Sequence, residues 1–186
     1  MGSVFDRDAF LADLAACDRE ADVRAAAQEV LRRALAEREA MAGALAPSVG
    51  GIRLLHHTPT LTVIDVAWAP RMRVMPHDHR MWALIAIYAG VEDNQFYRRG
   101  EDGDLRTTAR RRVEAGEVCA LGRETIHAVA NPAGRLTGAI HVYGGDFVRQ
   151  PRSQWGPGDL TERPYDMAEV QRQFHDANVA AGLLEA

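Results

Sequence analysis

The chain has only two cysteines, Cys17 and Cys119, and no run of 18 consecutive apolar residues. So few cysteines exclude a disulfide-stapled scaffold and fit a reducing compartment. Without a long apolar run there is no helical membrane span, and the acids scattered through MGSVFDRDAFLADLAACDRE break up the apolar segment a signal peptide needs. Asp6 also breaks the N-myristoylation pattern. The expectation is a cytoplasmic protein. Positive charge is short too: 22 Lys and Arg against 26 Asp and Glu leave a net charge of -4 and a pI near 6.0. That balance gives no general attraction for nucleic acid or an anionic membrane, and the one basic run, Arg110-Arg111-Arg112, reads as a solvated strand face.

Neither an internal repeat nor a low-complexity tract divides the 186 residues, and 47% apolar with 26% charged residues suits one domain, residues 1–186, with a real core. Residues 5–45 read as two helices, one with a stripe of Phe10, Leu11 and Leu14, the other with Val23, Ala27, Val30, Leu31, Ala34 and Leu35. Gly43, Pro47, Gly50 and Gly51 end that periodicity. Residues 50–147 then hold short apolar or alternating segments: LTVIDVAW (61–68), WALIAIYAG (82–90), NQFYRR (94–99), EVCAL (117–121) and LTGAIHVY (136–143). EDGD (101–104), EAGE (114–117) and NPAG (131–134) punctuate them. The middle is therefore an all-β sandwich or barrel. Residues 148–186 read as a Pro/Gly-containing loop, 150–164, and a final helix, 165–184.

The chemistry concentrates in the β region. Residues i and i+2 of a strand share a face, so His77 and His79 aim both imidazoles into one space while Asp78 faces away. A second segment, GEVCALGRETIHAVAN (116–131), carries His127, with Asn131 four residues on. Together the two segments resemble the paired motifs of the cupin superfamily, G-x5-H-x-H-x3,4-E-x6-G and G-x5-P-x-G-x2-H-x3-N. Pro76, the histidine pair, Gly90, Gly116, His127 and Asn131 match. Arg71 replaces the opening glycine, Ala83 or Leu84 stands where the glutamate belongs, and Gly122 and Glu124 replace the Pro and Gly of the second motif. Glu92, the nearest acid after Gly90, falls at the start of the next strand and is left out of the ligand set.

A three-histidine set without a carboxylate resembles the cysteine dioxygenase and 3-mercaptopropionate dioxygenase branch, as do Trp68, Trp82 and the HVY at 141–143. The resemblance spans residues 50–147. It implies a double-stranded β-helix, or jelly-roll barrel, with helices before it. It also implies Fe(II) or another divalent transition metal on His77, His79 and His127, and oxidation of a small carboxylate-bearing thiol by O2 to a sulfinic acid. His141 and Tyr143 match the family's relay beside the iron, although Ala139 replaces its serine. Arg53 falls near the family's carboxylate-clamping arginine, and Trp82 near a tryptophan of the bacterial members.

Neutral imidazoles leave the full charge on a divalent ion, which favours an anionic substrate. Partners are then the thiol and O2, in a monomer or homodimer. Structural readings stand beside these: His141 as a core histidine, Tyr143 as strand packing, Arg53 as a surface ion pair, and Cys119 as a small apolar strand residue. His56, His57 and His175 read as solvent-exposed. Two other functions keep the fold: a metal enzyme acting on a non-thiol metabolite, and a small-ligand-binding protein without turnover.

Overall fold

The computed structural model describes residues 4–101, 103–156, 158 and 160–185. Residues 1–3, Asp102 in the expected turn at 101–104, Pro157 and Asp159 in the expected loop at 150–164, and Ala186 lie outside the described residues. The N-terminal part folds as α1 (Arg7–Ala16), a 3-10 turn (Cys17–Arg19), α2 (Val23–Ala36) and α3 (Arg38–Leu45). The expected second helix is thus two, divided at Glu37 by a single non-helical residue. Asp6 and Asp22 mark the starts of α1 and α2, each accepting hydrogen bonds from free first-turn amides.

Eleven strands follow: β1 (Gly51–His57), β2 (Thr62–Trp68), β3 (Arg73–Asp78), β4 (Ala83–Ala89), β5 (Val91–Arg99), β6 (Leu105–Glu114), β7 (Val118–Leu121), β8 (Ile126–Ala130), β9 (Thr137–Tyr143), β10 (Ser153–Trp155) and β11 (Glu162–Pro164), and α4 (Met167–Ala180) closes the chain. They form two antiparallel sheets, ordered β1-β2-β9-β4-β7 and β11-β10-β3-β8-β5-β6. Neighbours distant in sequence, such as β2 and β9 or β3 and β8, make this a double-stranded β-helix. The expected loop at 150–164 contributes two short strands, and β6 is a long exposed edge strand whose arginines lie on the solvated face as expected.

The three central strands of the five-stranded sheet, β2, β9 and β4, are buried on both faces, which is why they read as near-continuous apolar runs. On one face Leu84, Ala86, Ile140 and Val142 pack against Leu14, Leu31, Leu35 and Met41 of the helices. On the other, Ile64, Val66, Ala139 and Tyr143 look into the barrel, where Val74, Val129 and Phe174 of α4 meet them. Each fully buried Leu or Ile contributes on the order of 1.5–3 kcal/mol. The two sides of this sheet are therefore two cores, and the barrel side holds the buried histidine of the sheet, His141.

Two motif residues hold the turns below the site. Asn131 donates to the carbonyls of Trp68, Ala69 and Arg135 and accepts from the Ala133 amide, locking the β2–β3 and β8–β9 connections together. Gly90 sits at φ 81°, and a Cβ there would lie 2.4 Å from Thr137 Oγ1, the hydroxyl that bonds both the amide and the carbonyl of Val91. Gly90→Ala is expected to destabilise the protein by roughly 1–2 kcal/mol from the left-handed backbone alone and further from the contact. Urea denaturation measures it, and an unchanged midpoint would refute the constraint.

Candidate metal centre

A bulge in β3 builds the centre. Val74 pairs with Val129 and His77 with His127, so three steps along β3 oppose two along β8. Regular alternation would put residues 74 and 77 on opposite faces; the bulge brings Val74, His77 and His79 to the barrel interior together. Pro76 occupies the bulge, where its missing N–H leaves no ladder bond unmade. Asp78 turns the other way, accepting from the Ser153 amide at 2.7 Å and from Arg80.

His77, His79 and His127 are buried, and one ring nitrogen from each lies within 4.8 Å of the other two. Ring centroids stand 4.7 to 5.1 Å apart. Two tautomers are fixed by acceptors. His77 Nδ1 lies 3.0 Å from the Met75 carbonyl and His127 Nδ1 lies 2.7 Å from Asn94 Oδ1, so each Nδ1 carries the proton and each Nε2 keeps its lone pair. His127 Nε2 and His79 Nδ1 are buried with no hydrogen-bond partner. Burial lowers all three pKa values, that of His77 to about 4, so the rings are neutral at pH 7. Neutral imidazoles converging with unpartnered nitrogens are a fitting donor set for a divalent transition metal. No carboxylate joins the cluster among the described residues.

Around the triad, His141 and Tyr143 share the inner face of β9, with His141 Nδ1 2.9 Å from Tyr143 Oη. The Tyr143 ring stands edge-on to His79 at 5.0 Å and stacks on Phe147 at 4.1 Å. Burial raises the Tyr143 pKa, keeping the phenol protonated, and lowers that of His141 to about 3. Both line the small cavity that holds the triad.

Arg53 and Trp82 are not brought there. Arg53 follows Ile52, which faces the cavity, so strand alternation turns Arg53 outward. There it is half exposed and pairs at 2.6 Å with the buried Asp65, an ion pair as in its structural reading but with its acid inside the fold. Trp82 packs on the helix side of the sheet, against Gly144. Trp68 lines the cavity instead, stacking on Phe174. His56 and His57 lie on β1; His57 is exposed as expected and meets Asp146 at 2.8 Å, whereas His56 is half-buried. His175 is exposed and Cys119 is buried in the barrel core.

Two residues that sequence reasoning did not place here complete the surroundings. Glu92 is fully buried, accepts from Trp68 Nε1 at 2.7 Å and Asn94 Nδ2 at 2.9 Å, and has one oxygen 4.0 Å from His141 Nε2. Burial raises its pKa to about 7 against the two hydrogen bonds. Arg152 is buried at 8% exposure, sandwiched between the rings of Phe147 (4.0 Å) and Tyr165 (4.1 Å). It donates to the Phe147 carbonyl, its Nε has no partner, and no carboxylate pairs with it among the described residues. Its charge helps lower the pKa of His77, His79 and Tyr143. A lone arginine in a Pro/Gly-rich segment carries no sequence signal; Glu92 and Asn94, two apart on one strand face, did.

The triad cavity itself has about 20 Å³ of free volume, room for roughly one water. Ile52, Ile64, Phe147 and Tyr165 also line a larger outer cavity of about 590 Å³, and Arg152 lines that one alone. The aromatic and guanidinium stack is thus the partition between the two.

No protein-family model matches the chain. Similar solved structures include an RmlC-like cupin with a double-stranded β-helix fold from Methanocaldococcus jannaschii, 8% identical over 54% of this chain and 84% of that one, TM-score 0.45. A protein with a double-stranded β-helix domain from Klebsiella pneumoniae is 12% identical over 62% and 79%, TM-score 0.42. Peruvianin-I, a cysteine peptidase from Thevetia peruviana latex, is 15% identical over 52% of this chain, which spans 62% of its length, with a TM-score of 0.43.

The four buried histidines fix the pH response of the metal-free protein. Their folded pKa values lie below the unfolded value near 6.5, so the stability they contribute is present above 6.5 and is lost as pH falls toward the folded values. Each adds about 1.4 kcal/mol of loss per pH unit. Glu92, raised to about 7, acts oppositely: its contribution is present below 4.5 and lost as pH rises through 7. Between pH 6.5 and 5 four groups outweigh one, so denaturation in chelator is expected to show falling stability on acidification. A flat profile would mean that the rings are solvated.

Proposed function

We propose that the protein is a non-haem iron enzyme that oxidises a small carboxylate-bearing thiol with O2 to a sulfinic acid, RSH + O2 giving RSO2H. The observation that carries the reading is one small cavity holding three neutral histidines, with no carboxylate in the cluster among the described residues, and the His141–Tyr143 pair at its wall. Fe(II) held by His77, His79 and His127 would supply the centre at which a thiolate and dioxygen react.

The chain's own residues do the rest. His77 and His127 are held as lone-pair donors by Met75 and Asn94. The Tyr143 phenol keeps its proton and is a hydrogen-bond donor at the cavity wall, oriented by His141. The apolar walls, Ile64, Val66, Val74 and Val129, exclude water. The substrate carboxylate, expected from the sequence at Arg53, goes to Arg152, the buried guanidinium that lacks a counter-ion. Charge supports the same substrate class. A divalent ion among neutral rings and a guanidinium, set against at most one Glu92 carboxylate, leaves about two positive charges that a thiolate and a carboxylate offset.

The test is oxygen consumption by the anaerobically iron-loaded protein with cysteine, 3-mercaptopropionate, cysteamine and no thiol. Uptake with the carboxylate thiols and a sulfinate product is expected, lost in His77→Ala and His127→Ala. Arg152→Gln should raise KM for carboxylate thiols at least tenfold and leave cysteamine little changed, while Arg53→Ala stays within about twofold. Uptake that ignores the thiol would sink the proposal and favour a non-thiol substrate.

A further inference from the structure

The cupin-like motif lacks its ligating glutamate, yet a carboxylate is connected to the triad by another route. Glu92, Asn94 and Phe96 alternate along β5, and all three face the barrel, beside His127 on β8. The hydrogen bonds among them run in one direction. Trp68 Nε1 can only donate, and it donates to Glu92 Oε2. Glu92 Oε1 takes the Asn94 amide hydrogen, which turns Asn94 Oδ1 toward His127 Nδ1. His127 must then hold its proton on Nδ1, leaving Nε2 unpartnered toward the other two histidines.

We propose that Glu92 is a positioning residue for the metal centre: acting through Asn94, it sets the tautomer and ring orientation of His127 and lends the bound ion a remote negative charge. The inference rests on the three-histidine metal reading but not on thiol oxidation. Its logic is directional. In Glu92→Gln the carbonyl satisfies Trp68, and the new amide then faces the Asn94 amide, donor against donor. Asn94 resolves the conflict by flipping, which turns its NH2 toward His127 Nδ1 and drives the His127 proton onto Nε2, the nitrogen needed for the ion.

The experiment titrates metal-free full-length protein with Co2+, followed by visible absorption, and reads the His127 tautomer by long-range 15N NMR. Glu92→Gln is expected to weaken Co2+ binding by about 10- to 100-fold, with the proton moved to Nε2. When Glu92→Gln is combined with Asn94→Asp, the carboxylate introduced at position 94 accepts from both the new amide at position 92 and His127 Nδ1. Affinity should return to within about threefold of the starting protein, with the proton back on Nδ1. A mere packing defect is not repaired that way, and the double variant is informative even if the single one does not fold. The proposal is overturned if Glu92→Gln binds Co2+ as the unmodified chain does with Nδ1 still protonated, or if the second substitution restores nothing. If the unmodified chain binds no Co2+, the metal reading falls with it.

Discussion

Everything around the centre depends on keeping polar rings inside a dry barrel. A buried imidazole stays neutral because protonation there would strand a charge in low dielectric, and a neutral ring has one donor and one acceptor nitrogen whose assignment must be imposed. The fold imposes it with acceptors. The Met75 carbonyl, exposed by the β3 bulge, takes one proton, and Asn94, held by Glu92, takes another. Remove either acceptor and the unpartnered nitrogen can change places with the protonated one, at a cost of about 1–3 kcal/mol for each buried group left unmade.

The same constraint explains the shape of the sheets. The central strands of the five-stranded sheet must be largely apolar on both faces, since helices cover one and the barrel interior lies on the other. Two buried polar side chains here are held by several partners. Asp65 is buried with Tyr88 and Arg53 donating to it, and Asn178 on α4 bonds both the amide and the carbonyl of Gly50, tying the last helix to the first strand. That tie, with Phe174 stacked on Trp68, places α4 as the lid of the barrel core, and residues from α4 contribute to both cavities.

Much of this was legible in the sequence, and the part that was not has a common cause. Strands such as Thr62–Trp68 and Thr137–Tyr143 are long apolar runs between turn residues, so their existence and limits follow from local pattern. The histidine pair was legible because spacing by two fixes a shared face, and His127 because its segment resembles the second of the paired motifs. What spacing cannot fix is absolute parity, the choice of which face looks inward. Arg53 lies one residue from Ile52, and that single step separates a cavity wall from solvent. The break at Glu37 was hidden because neither glycine nor proline marks it. Arg152 was hidden because it arrives through tertiary placement alone, from a segment where the short strand β10 pairs with β3 and β11 pairs in turn with β10.

Arg152 also decides how the two cavities relate. A guanidinium stacked between two rings is held by cation–π attraction and one carbonyl, interactions that leave its Nε free. No carboxylate pairs with it among the described residues, and the ring faces and the carbonyl are weak compensation for a buried cation. The stack stands where Phe147 and Tyr165 separate about 590 Å³ of outer cavity from about 20 Å³ at the histidines. A molecule moving inward meets the guanidinium before it meets the triad. On the proposed function, an anionic substrate would gain the missing counter-charge at that point. The proposed preference for an anionic substrate would then act at this wall, ahead of any chemistry at the three histidines.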